Sequence, residues 1–330
     1  MKRKAPFFAL MLIVLITYAS VQNPWTNQYI SKLKDEATTV TATMKDHDEL
    51  RAQIKQFSET NTIPPINARL DPVWKAIPGY NGLSVDQEAS LNRMKKNKQF
   101  NEALIVYKQT KPEVSLEDLP ASPIYKGNPE KPMVTFLVNV AWGNEYLTEI
   151  LETMKKHKIH STFFLDGSWV KKNQDLSKII HEEGHEIGNH AYSHPDMKRL
   201  TNPRIKEEIQ KTNEIIESTV HVAPQWFAPP SGSFRDDVVQ IAHTLNMKTI
   251  LWSVDTVDWR NPDPNQMSKR VLSKVHPGAM ILMHPTKSSA SALEQMIIGI
   301  QAKGYTIGTV TQLMSEKRIV KSKKKPEPSN

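Results

Sequence analysis

The residues with the clearest chemical use form the histidine-rich segment HEEGHEIGNHAYSHP, which begins at His181. Its pattern predicts a helix that ends at Gly184 and then a short strand, with His190 and His194 four positions apart on the bend that follows. Two imidazoles at this spacing can direct nitrogen atoms at one point, as a zinc site requires. Histidine-rich surface segments that bind nothing are also common, so the spacing alone leaves both interpretations open. His185, on the strand, is predicted to be a packing or solvent-facing residue.

These histidines lie within a regular alternation of strand-like and helix-like patterns that starts near residue 131. Such alternation is typical of parallel strands joined by crossover helices, and about seven units predict an α/β fold with a (β/α) barrel, one unit short of eight. In such barrels the chemistry lies at the C-terminal ends of the strands. The pattern puts Asn139, Ser231, Asp255 and His284 at such ends, as it does the histidine pair. The predicted strands are residues 133–138, 162–165, 185–189, 226–228, 249–254, 279–283 and 306–309, and the predicted helices are residues 145–157, 170–183, 203–218, 236–245, 266–275 and 290–303.

The part of the chain before the barrel divides by composition into three segments. Residues 1–21 combine a basic start with an apolar run, which predicts a signal peptide or an uncleaved signal anchor. Either outcome places the remainder outside the cytoplasm, anchored to the membrane or secreted. Residues 22–67 predict a membrane-proximal helical stalk, and residues 68–122 predict a small α+β domain. A proline-bearing stretch then predicts a linker before the main domain at residues 130–315.

Composition and charge exclude some kinds of site and partner. The chain has no cysteine, so it forms no disulfide, thiol nucleophile or thiolate metal site. Its formal net charge of +8 favours anionic partners. Because no nucleic-acid module is visible, acidic wall polymers and lipid headgroups are expected instead of nucleic acid. The basic tail at residues 316–330 is predicted to be disordered, and it either binds anionic polymer or lipid weakly or has no partner.

Several short motifs follow one another in a fixed order along residues 130–315. Their order resembles that of the polysaccharide deacetylases, which share the NodB homology domain of carbohydrate esterase family four, and within them a sporulation-associated branch. The resemblance implies a distorted barrel that removes acetyl groups from N-acetylated sugars in peptidoglycan or chitin-like polymers. The motifs are AWGN from Ala141, HSTFFL from His160, HEIGNHAYSHP from His185, APPSG from Ala228, LWSVDTVDW from Leu251 and ILMHP from Ile281.

The resemblance also implies roles for individual residues. His190 and His194 match the histidines that hold a zinc-type ion, which polarises the acetyl carbonyl and activates a water. His284 matches the general acid that protonates the leaving amine, and Asp255 matches the carboxylate that orients this acid. Ser231 matches the residue whose backbone N–H helps to hold the oxyanion. The residues expected to contact the sugar are Trp142, Pro230 and Trp259.

The other half of the implied site departs from the family's pattern. Asn139 stands at the general-base position, Val140 at the position of the metal-binding aspartate, and Ala228 where an arginine usually steadies the base. An amide accepts no proton at neutral pH, so the ~10²–10⁴-fold contribution of a general base is lost. Valine has no lone pair, so a zinc-type ion would be held weakly or not at all. The nearby carboxylates in sequence are Glu145 and Asp166, and neither is clearly aimed at the site by its predicted position.

Three functions therefore stay open. The first is a de-N-acetylase that uses a substitute base or a water-mediated route. The second is a protein that binds cell-wall polysaccharide without turning it over, with indoles near strand ends stacked on sugar rings. The third is a scaffold with a vestigial site, against which the intact His190, His194, Asp255 and His284 speak. A carboxylate near the histidine pair would favour the enzyme, and an apolar wall at Val140 would favour the binding protein.

Overall fold

The computed structural model describes residues 5–320. The basic start of the predicted signal segment and the tail beyond Val320 lie outside the described residues. The strands are β1 Arg69–Asp71, β2 Lys75–Ile77, β3 Gly82–Val85, β4 Tyr107–Thr110, β5 Met133–Val140, β6 Thr162–Leu165, β7 Glu186–Asn189, β8 Trp226–Phe227, β9 Lys248–Thr249, β10 Val254–Asp255, β11 Met280–Met283 and β12 Thr306–Ile307. The helices are α1 Ala5–Val21, α2 Pro24–Thr60, α3 Gln87–Met94, α4 Asn144–Lys156, α5 Gly167–Lys172, α6 Gln174–Glu182, α7 Asn202–Val220, α8 Asp236–Thr244, α9 Pro264–Lys274, α10 Lys287–Ala302 and α11 Val310–Met314.

The main sheet is a curled parallel sheet with the strand order β10-β11-β5-β6-β7-β8-β9, and β12 pairs with β5. This confirms the predicted α/β fold and the distorted barrel of about seven units. The strand predicted at residues 249–254 is in fact two short strands, β9 and β10, which lie at opposite ends of the sheet. The helix predicted at residues 170–183 is also divided, because α5 ends at Lys172 and α6 begins at Gln174, with the non-helical Asn173 between them.

The predicted linker before the barrel is also part of the sheet. Ile124 forms a parallel bridge to Ile250, just beyond β9, and Lys126 forms an antiparallel bridge to Ala279, just before β11. The stretch is therefore bridged to a residue beside the end strand β9 and to a residue beside β11, which is why it is ordered in spite of its prolines. The N–H of Ile124 donates to the carbonyl of Thr249 at 2.9 Å, so part of the open edge of β9 is satisfied there.

Strand β5 shows how the sheet sorts its side chains. Val134, Phe136, Val138 and Val140 pack into the large core between the sheet and the surrounding helices. The alternate residues point into the barrel, where Leu137 joins a separate apolar cluster, as expected from the two-residue period of a strand. This alternation puts Asn139 and Val140 on opposite faces of the same strand.

The chain forms two compact units that differ from the predicted domains. Among the described residues, the first unit comprises residues 5–62 and 84–108, and the second comprises residues 63–83 and 109–320. The predicted α+β domain at residues 68–122 is therefore not one body: α3 belongs to the first unit, and the hairpin of β1 and β2 belongs to the unit that contains the barrel.

The first unit is organised around the predicted stalk, α2. This 37-residue helix begins after Asn23, whose side chain accepts the N–H of Trp25. Near its other end Leu50 and Ile54 are buried in a cluster with residues of α3, so this part of the helix is packed. No single helix among residues 5–320 is long and apolar enough to cross a membrane; α1 and the start of α2 reach that measure only together, as a pair bent by 57°.

The described start of the tail contradicts the predicted disorder from residue 316 onward. The Nε of Arg318 donates to the carbonyl of Asn81 at 2.7 Å, and its guanidinium lies 4.1 Å from the ring centre of Tyr80. The N–H of Ile319 donates to the hydroxyl of Tyr80 at 3.0 Å. Composition alone missed this because the contacts are made with residues more than 200 positions earlier in the chain.

We expect the buried His185 to make the fold sensitive to acid. Its Nδ1 accepts the N–H of Ser161 at 3.1 Å, and burial lowers its pKa to about 4, with a smaller contribution from His160. An imidazole in the unfolded chain has a pKa of ~6.5, so the unfolded chain takes up the proton first. The stabilisation is therefore complete above pH ~6.5 and is lost as the pH falls towards the folded pKa.

The measurement is urea denaturation between pH 7 and pH 4.5 on the wild type and on His185→Asn, whose amide oxygen can accept the same N–H. The free energy of unfolding of the wild type should fall by up to about 1.4 kcal/mol per pH unit more steeply than that of the variant. Parallel pH profiles for the two proteins would contradict the prediction.

Candidate functional site

His190 is held in one orientation and one protonation state. It follows β7 directly, and its backbone N–H donates to the carbonyl of Leu165 at 3.0 Å. The residue is only 1% exposed. Its Nδ1 lies 2.7 Å from the carbonyl oxygen of Ala228, which can only accept, so Nδ1 carries the proton. Burial, followed by the nearby His194, lowers the pKa of His190 to about 3. The ring is therefore neutral, with Nε2 as its free acceptor.

The two predicted metal histidines are brought together by a strained loop. Their ring centres lie 5.2 Å apart. The backbone of this loop is left-handed at two non-glycine residues, Ala191 with φ 61° and His194 with φ 53°. Such conformations persist only where the surroundings impose them.

A buried carboxylate from helix α7 imposes this loop conformation. Glu208 is 2% exposed, and its Oε2 accepts the backbone N–H groups of Tyr192 at 2.9 Å and Ser193 at 2.8 Å. Its Oε1 accepts the hydroxyl of Ser193 at 2.9 Å and a guanidinium N–H of Arg204 at 2.8 Å. Every oxygen of the carboxylate is thus used to hold the loop that carries His194.

These residues do not complete a site for a zinc-type ion. A structural or catalytic zinc needs at least three protein ligands, and no three His, Asp or Glu side chains among residues 5–320 are arranged to hold an ion. At the position of the third ligand, Val140 is fully buried in the core between sheet and helices. The zinc implied by the family resemblance therefore does not fit the residues that are present.

The acid half of the site is complete, but its carboxylate is Asp258 and not the predicted Asp255. The Oδ1 of Asp258 lies 2.8 Å from Nδ1 of His284, and its Oδ2 accepts the backbone N–H of His284 at 2.6 Å and the hydroxyl of Ser289 at 2.5 Å. Asp258 is completely buried. Because its Nδ1 faces this carboxylate, His284 keeps Nε2 for a ligand.

Asp255 does not contact His284 through a hydrogen bond, because it is still part of strand β10. It is the last residue of β10, in register with Leu282, and its Oδ1 accepts the N–H of Val257 at 2.7 Å. Val257 has φ 51°, which is costly for a β-branched residue. This left-handed turn directs the chain back so that the next residue, Asp258, reaches His284.

An exposed indole covers the same histidine. The rings of Trp142 and His284 are nearly parallel, with an interplanar angle of 8° and centres 6.0 Å apart, and Trp142 is 47% exposed. Gly143 makes this possible: its φ is 86°, and a Cβ there would lie 2.0 Å from the carbonyl oxygen of Pro285. The loop after β5 can therefore approach the loop after β11 closely.

A cavity opens beside this indole. It has a volume of about 250 Å³. Asp166 lines this cavity, although its predicted position did not direct it to the site. Glu145, the other nearby carboxylate in sequence, is exposed in the first turn of α4. The sequence pattern did not place Asp166 in the cavity, because it gave no side-chain direction for the residue after β6. The residues that line the cavity are Ala141, Trp142, Asp166, Ser168, Ser193 and His194.

Two oxygen atoms at adjoining strand ends accept no hydrogen bond from the described residues. They are Oδ1 of Asn139, at the general-base position, and Oδ2 of Asp166. The two residues are 4% and 2% exposed. The other oxygen of Asp166 accepts the N–H of Trp169 at 2.9 Å and the hydroxyl of Ser168 at 2.6 Å. Burial raises the pKa of Asp166.

The remaining predicted site residues keep their roles as predictions. Pro230 is buried, and Ser231 follows it with φ 55° in a tight turn. Trp259 is 54% exposed, and its face is shared with the guanidinium of Arg260 at 4.6 Å. No hydrogen bond or ring contact places these three residues against the described cavity or His284.

Sequence patterns missed two groups that hold the site, Asp258 and Glu208. Asp258 had a signal, because it lies in the same short motif as Asp255 and precedes Trp259, but the choice between the two aspartates depends on where the strand ends. Glu208 had none, because it lies in the middle of a helix and reaches a loop 15 residues earlier.

We expect the two aspartates to differ in their effect on stability. Asp258→Asn replaces a buried acceptor of three hydrogen bonds by an amide that cannot accept all of them, which should lower the free energy of unfolding by about 2–4 kcal/mol. Asp255→Asn keeps an amide oxygen that can accept the single N–H of Val257 and should cost about 1 kcal/mol or less. Urea denaturation of the two variants side by side checks this, and an equal loss in both would show that Asp255 shares the role.

Comparison with known proteins agrees with this geometry. A family model described as polysaccharide deacetylase matches residues 126–250. The uncharacterised protein YlxY of Bacillus subtilis strain 168 is 51% identical over 320 residues, which cover 97% of this chain and 99% of YlxY. The peptidoglycan-N-acetylmuramic acid deacetylase PdaA of the same strain is 33% identical over 202 residues, 59% of this chain and 76% of PdaA.

A solved structure is similar over most of the chain. BA3943 of Bacillus anthracis, described as a pseudoenzyme of the CE4 family, has a TM-score of 0.78 and 50% identity, over 82% of this chain and 96% of that chain. A mutant of BA3943, described as having restored enzymatic activity, has the same TM-score at 49% identity, over 82% of this chain and 99% of that chain. This chain therefore belongs to the polysaccharide deacetylase family, carbohydrate esterase family four, with its NodB homology domain.

Proposed function

We propose that this protein binds cell-wall polysaccharide outside the cytoplasm and does not deacetylate it. The observation that carries the proposal is the contrast between the two halves of the site. The half with His284, Asp258 and Trp142 is intact and supported by buried hydrogen bonds. In the other half Asn139 cannot act as a base, and the side chain of Val140 is buried in the core between sheet and helices and offers no ligand atom.

The losses are too large for efficient turnover by the family's reaction. A general base supplies ~10²–10⁴-fold in rate, and a metal ion that polarises the carbonyl supplies several kcal/mol of transition-state stabilisation. Neither is provided here, because Asn139 has an amide and the histidine pair lacks a third ligand. Ala228 also has no charge with which to steady a base. These effects act on the same reacting atoms, so removing them together leaves little catalysis.

Binding, by contrast, needs only what the intact half provides. Trp142 presents an exposed face beside the cavity, and an aromatic ring of this kind buries a large apolar area against a sugar ring. His284 offers Nε2 as a hydrogen-bonding group, held in place by Asp258. The left-handed backbone at His194 and Val257 costs about 1–3 kcal/mol at each position. The fold accepts this cost to keep the loops around the cavity in one conformation.

The proposed location and partners come from the termini and from the relatives. The apolar helix α1 is proposed to place the N-terminus in the membrane, as a signal peptide or anchor, and α2 is proposed to serve as the stalk. PdaA is a peptidoglycan deacetylase by name, which supports peptidoglycan as the polymer. The basic tail is proposed to add weak binding to anionic wall polymer or lipid.

The proposal is tested with the full-length protein and soluble peptidoglycan fragments, by calorimetric titration with acetate assayed in the same samples. The wild type should bind and release no acetate above background. Trp142→Ala should weaken binding about tenfold or more. Trp25→Ala is the matched control, because this indole is also exposed, at 80%, but lies in α2. Acetate release by the wild type, or equal binding by Trp142→Ala, would contradict the proposal.

We assign the loss of turnover to Asn139 and Val140. The double substitution Asn139→Asp and Val140→Asp supplies the carboxylates that the family uses, and the restored activity described for a BA3943 mutant supports the attempt. With zinc added, we expect the double variant to release acetate at least ~10²-fold faster than the wild type. Adding His284→Ala to the double variant should abolish this gain, because the acid is then absent. A folded double variant without activity would show that the defect lies elsewhere.

A further inference from the structure

We propose that the cavity beside Trp142 recognises the free, protonated amine of a de-N-acetylated amino sugar, with Asp166 as the carboxylate that binds it. The inference rests on the proposed function, since it names the form of the polysaccharide that the site prefers. A deacetylase must accept the acetylated sugar, whereas this cavity has the charge of a site for the deacetylated one.

The position of Asp166 is fixed by its surroundings. It follows β6, and its backbone N–H donates to the carbonyl of Val140 at 2.9 Å, so it lies beside the end of β5. Its Oδ1 caps helix α5 through the N–H of Trp169 and also accepts the hydroxyl of Ser168. The carboxylate is thus anchored by one oxygen, and the other oxygen, Oδ2, has no donor among the described residues.

The charge around this carboxylate favours a cationic ligand. Asp166 is 2% exposed, and a buried carboxylate without a countercharge is costly. Neither Lys nor Arg lines the cavity, and Asp166 forms no ion pair with a Lys or Arg of the described residues. His194 also lines the cavity, and its imidazole attracts the carboxylate only when it is protonated. A ligand ammonium would supply the missing positive charge and a charge-assisted hydrogen bond.

The number of donors separates the free amine from the acetamide. The unpartnered oxygen of Asp166, a residue that lines the cavity, is an acceptor that needs a donor. An ammonium group has three N–H donors and no acceptor. An acetamido group has one N–H donor and adds a carbonyl oxygen, which would be repelled by the carboxylate. The unpartnered oxygen of Asp166 therefore matches the amine better than the amide.

The test is a calorimetric titration of the full-length protein with the tetramer of glucosamine and with the tetramer of N-acetylglucosamine, at a pH at which the amine is protonated. The wild type should bind the glucosamine tetramer about tenfold more tightly or better. Asp166→Asn should lose this preference, because it removes the charge while its amide oxygen can still cap α5. Asp175→Asn should keep it, since the side chain of Asp175 is 97% exposed on helix α6.

The outcomes separate this inference from the proposed function. Binding of both tetramers with equal affinity, or a preference that survives in Asp166→Asn, would overturn the inference and leave polysaccharide binding intact. Binding of neither tetramer, nor of peptidoglycan fragments, would overturn the proposed function itself. Zinc alone is titrated as a further arm: stoichiometric zinc binding that Asp166→Asn abolishes would assign the carboxylate to an inorganic cation and overturn the amine proposal.

Discussion

The central strand β5 is the element on which the rest of the structure depends. It pairs in parallel with β6, β11 and β12, so the ends of these strands are set in register by backbone hydrogen bonds. Through this register the loops after β5, β6 and β11 meet at one edge, and Trp142 and Asp166 come to line one cavity. The same pleat turns Val140 into the core and Asn139 into the barrel. A substitution of Val140 therefore acts on the core between sheet and helices, and a substitution of Asn139 acts on the barrel interior.

The sequence allowed the barrel and the histidine pair to be predicted because both depend on local patterns. The alternation of apolar runs and helices sets a parallel sheet, and a four-residue spacing on a bend brings His190 and His194 together. The carboxylate of the acid arm could not be chosen in this way. Its identity depends on a left-handed turn at Val257, which no propensity favours in a β-branched residue.

Other features escaped prediction because they are made by distant parts of the chain. Glu208 supports the histidine loop from another helix, and Arg318 is held by Tyr80, which lies far away in the sequence. The two compact units cross the predicted domain boundaries for a similar reason. The polar composition of residues 22–122 gave no sign that β1 and β2 belong with the barrel, while α3 packs against the end of α2.

In one half of the site the side chains are held by hydrogen bonds, and in the other half the catalytic carboxylates are absent. This difference explains how the fold can bind a ligand without catalysing a reaction. His284 is kept in position by two hydrogen bonds to Asp258, whose carboxylate also accepts the hydroxyl of Ser289. The loop of His194 is held by the carboxylate of Glu208, both oxygens of which accept hydrogen bonds. These supports act on the shape of the cavity and are independent of turnover. The residues lost are those that would handle a proton or a metal.

The most direct test of this account is a single nuclear magnetic resonance experiment on full-length protein with labelled histidine and tryptophan and soluble peptidoglycan fragments. The account predicts that the signals of Trp142 and His284 shift and saturate as fragments are added, while no acetate methyl signal grows in the same tube over a day. Growth of the acetate signal would show that the chain is an enzyme, and unshifted Trp142 and His284 signals would show that the cavity does not bind the polymer.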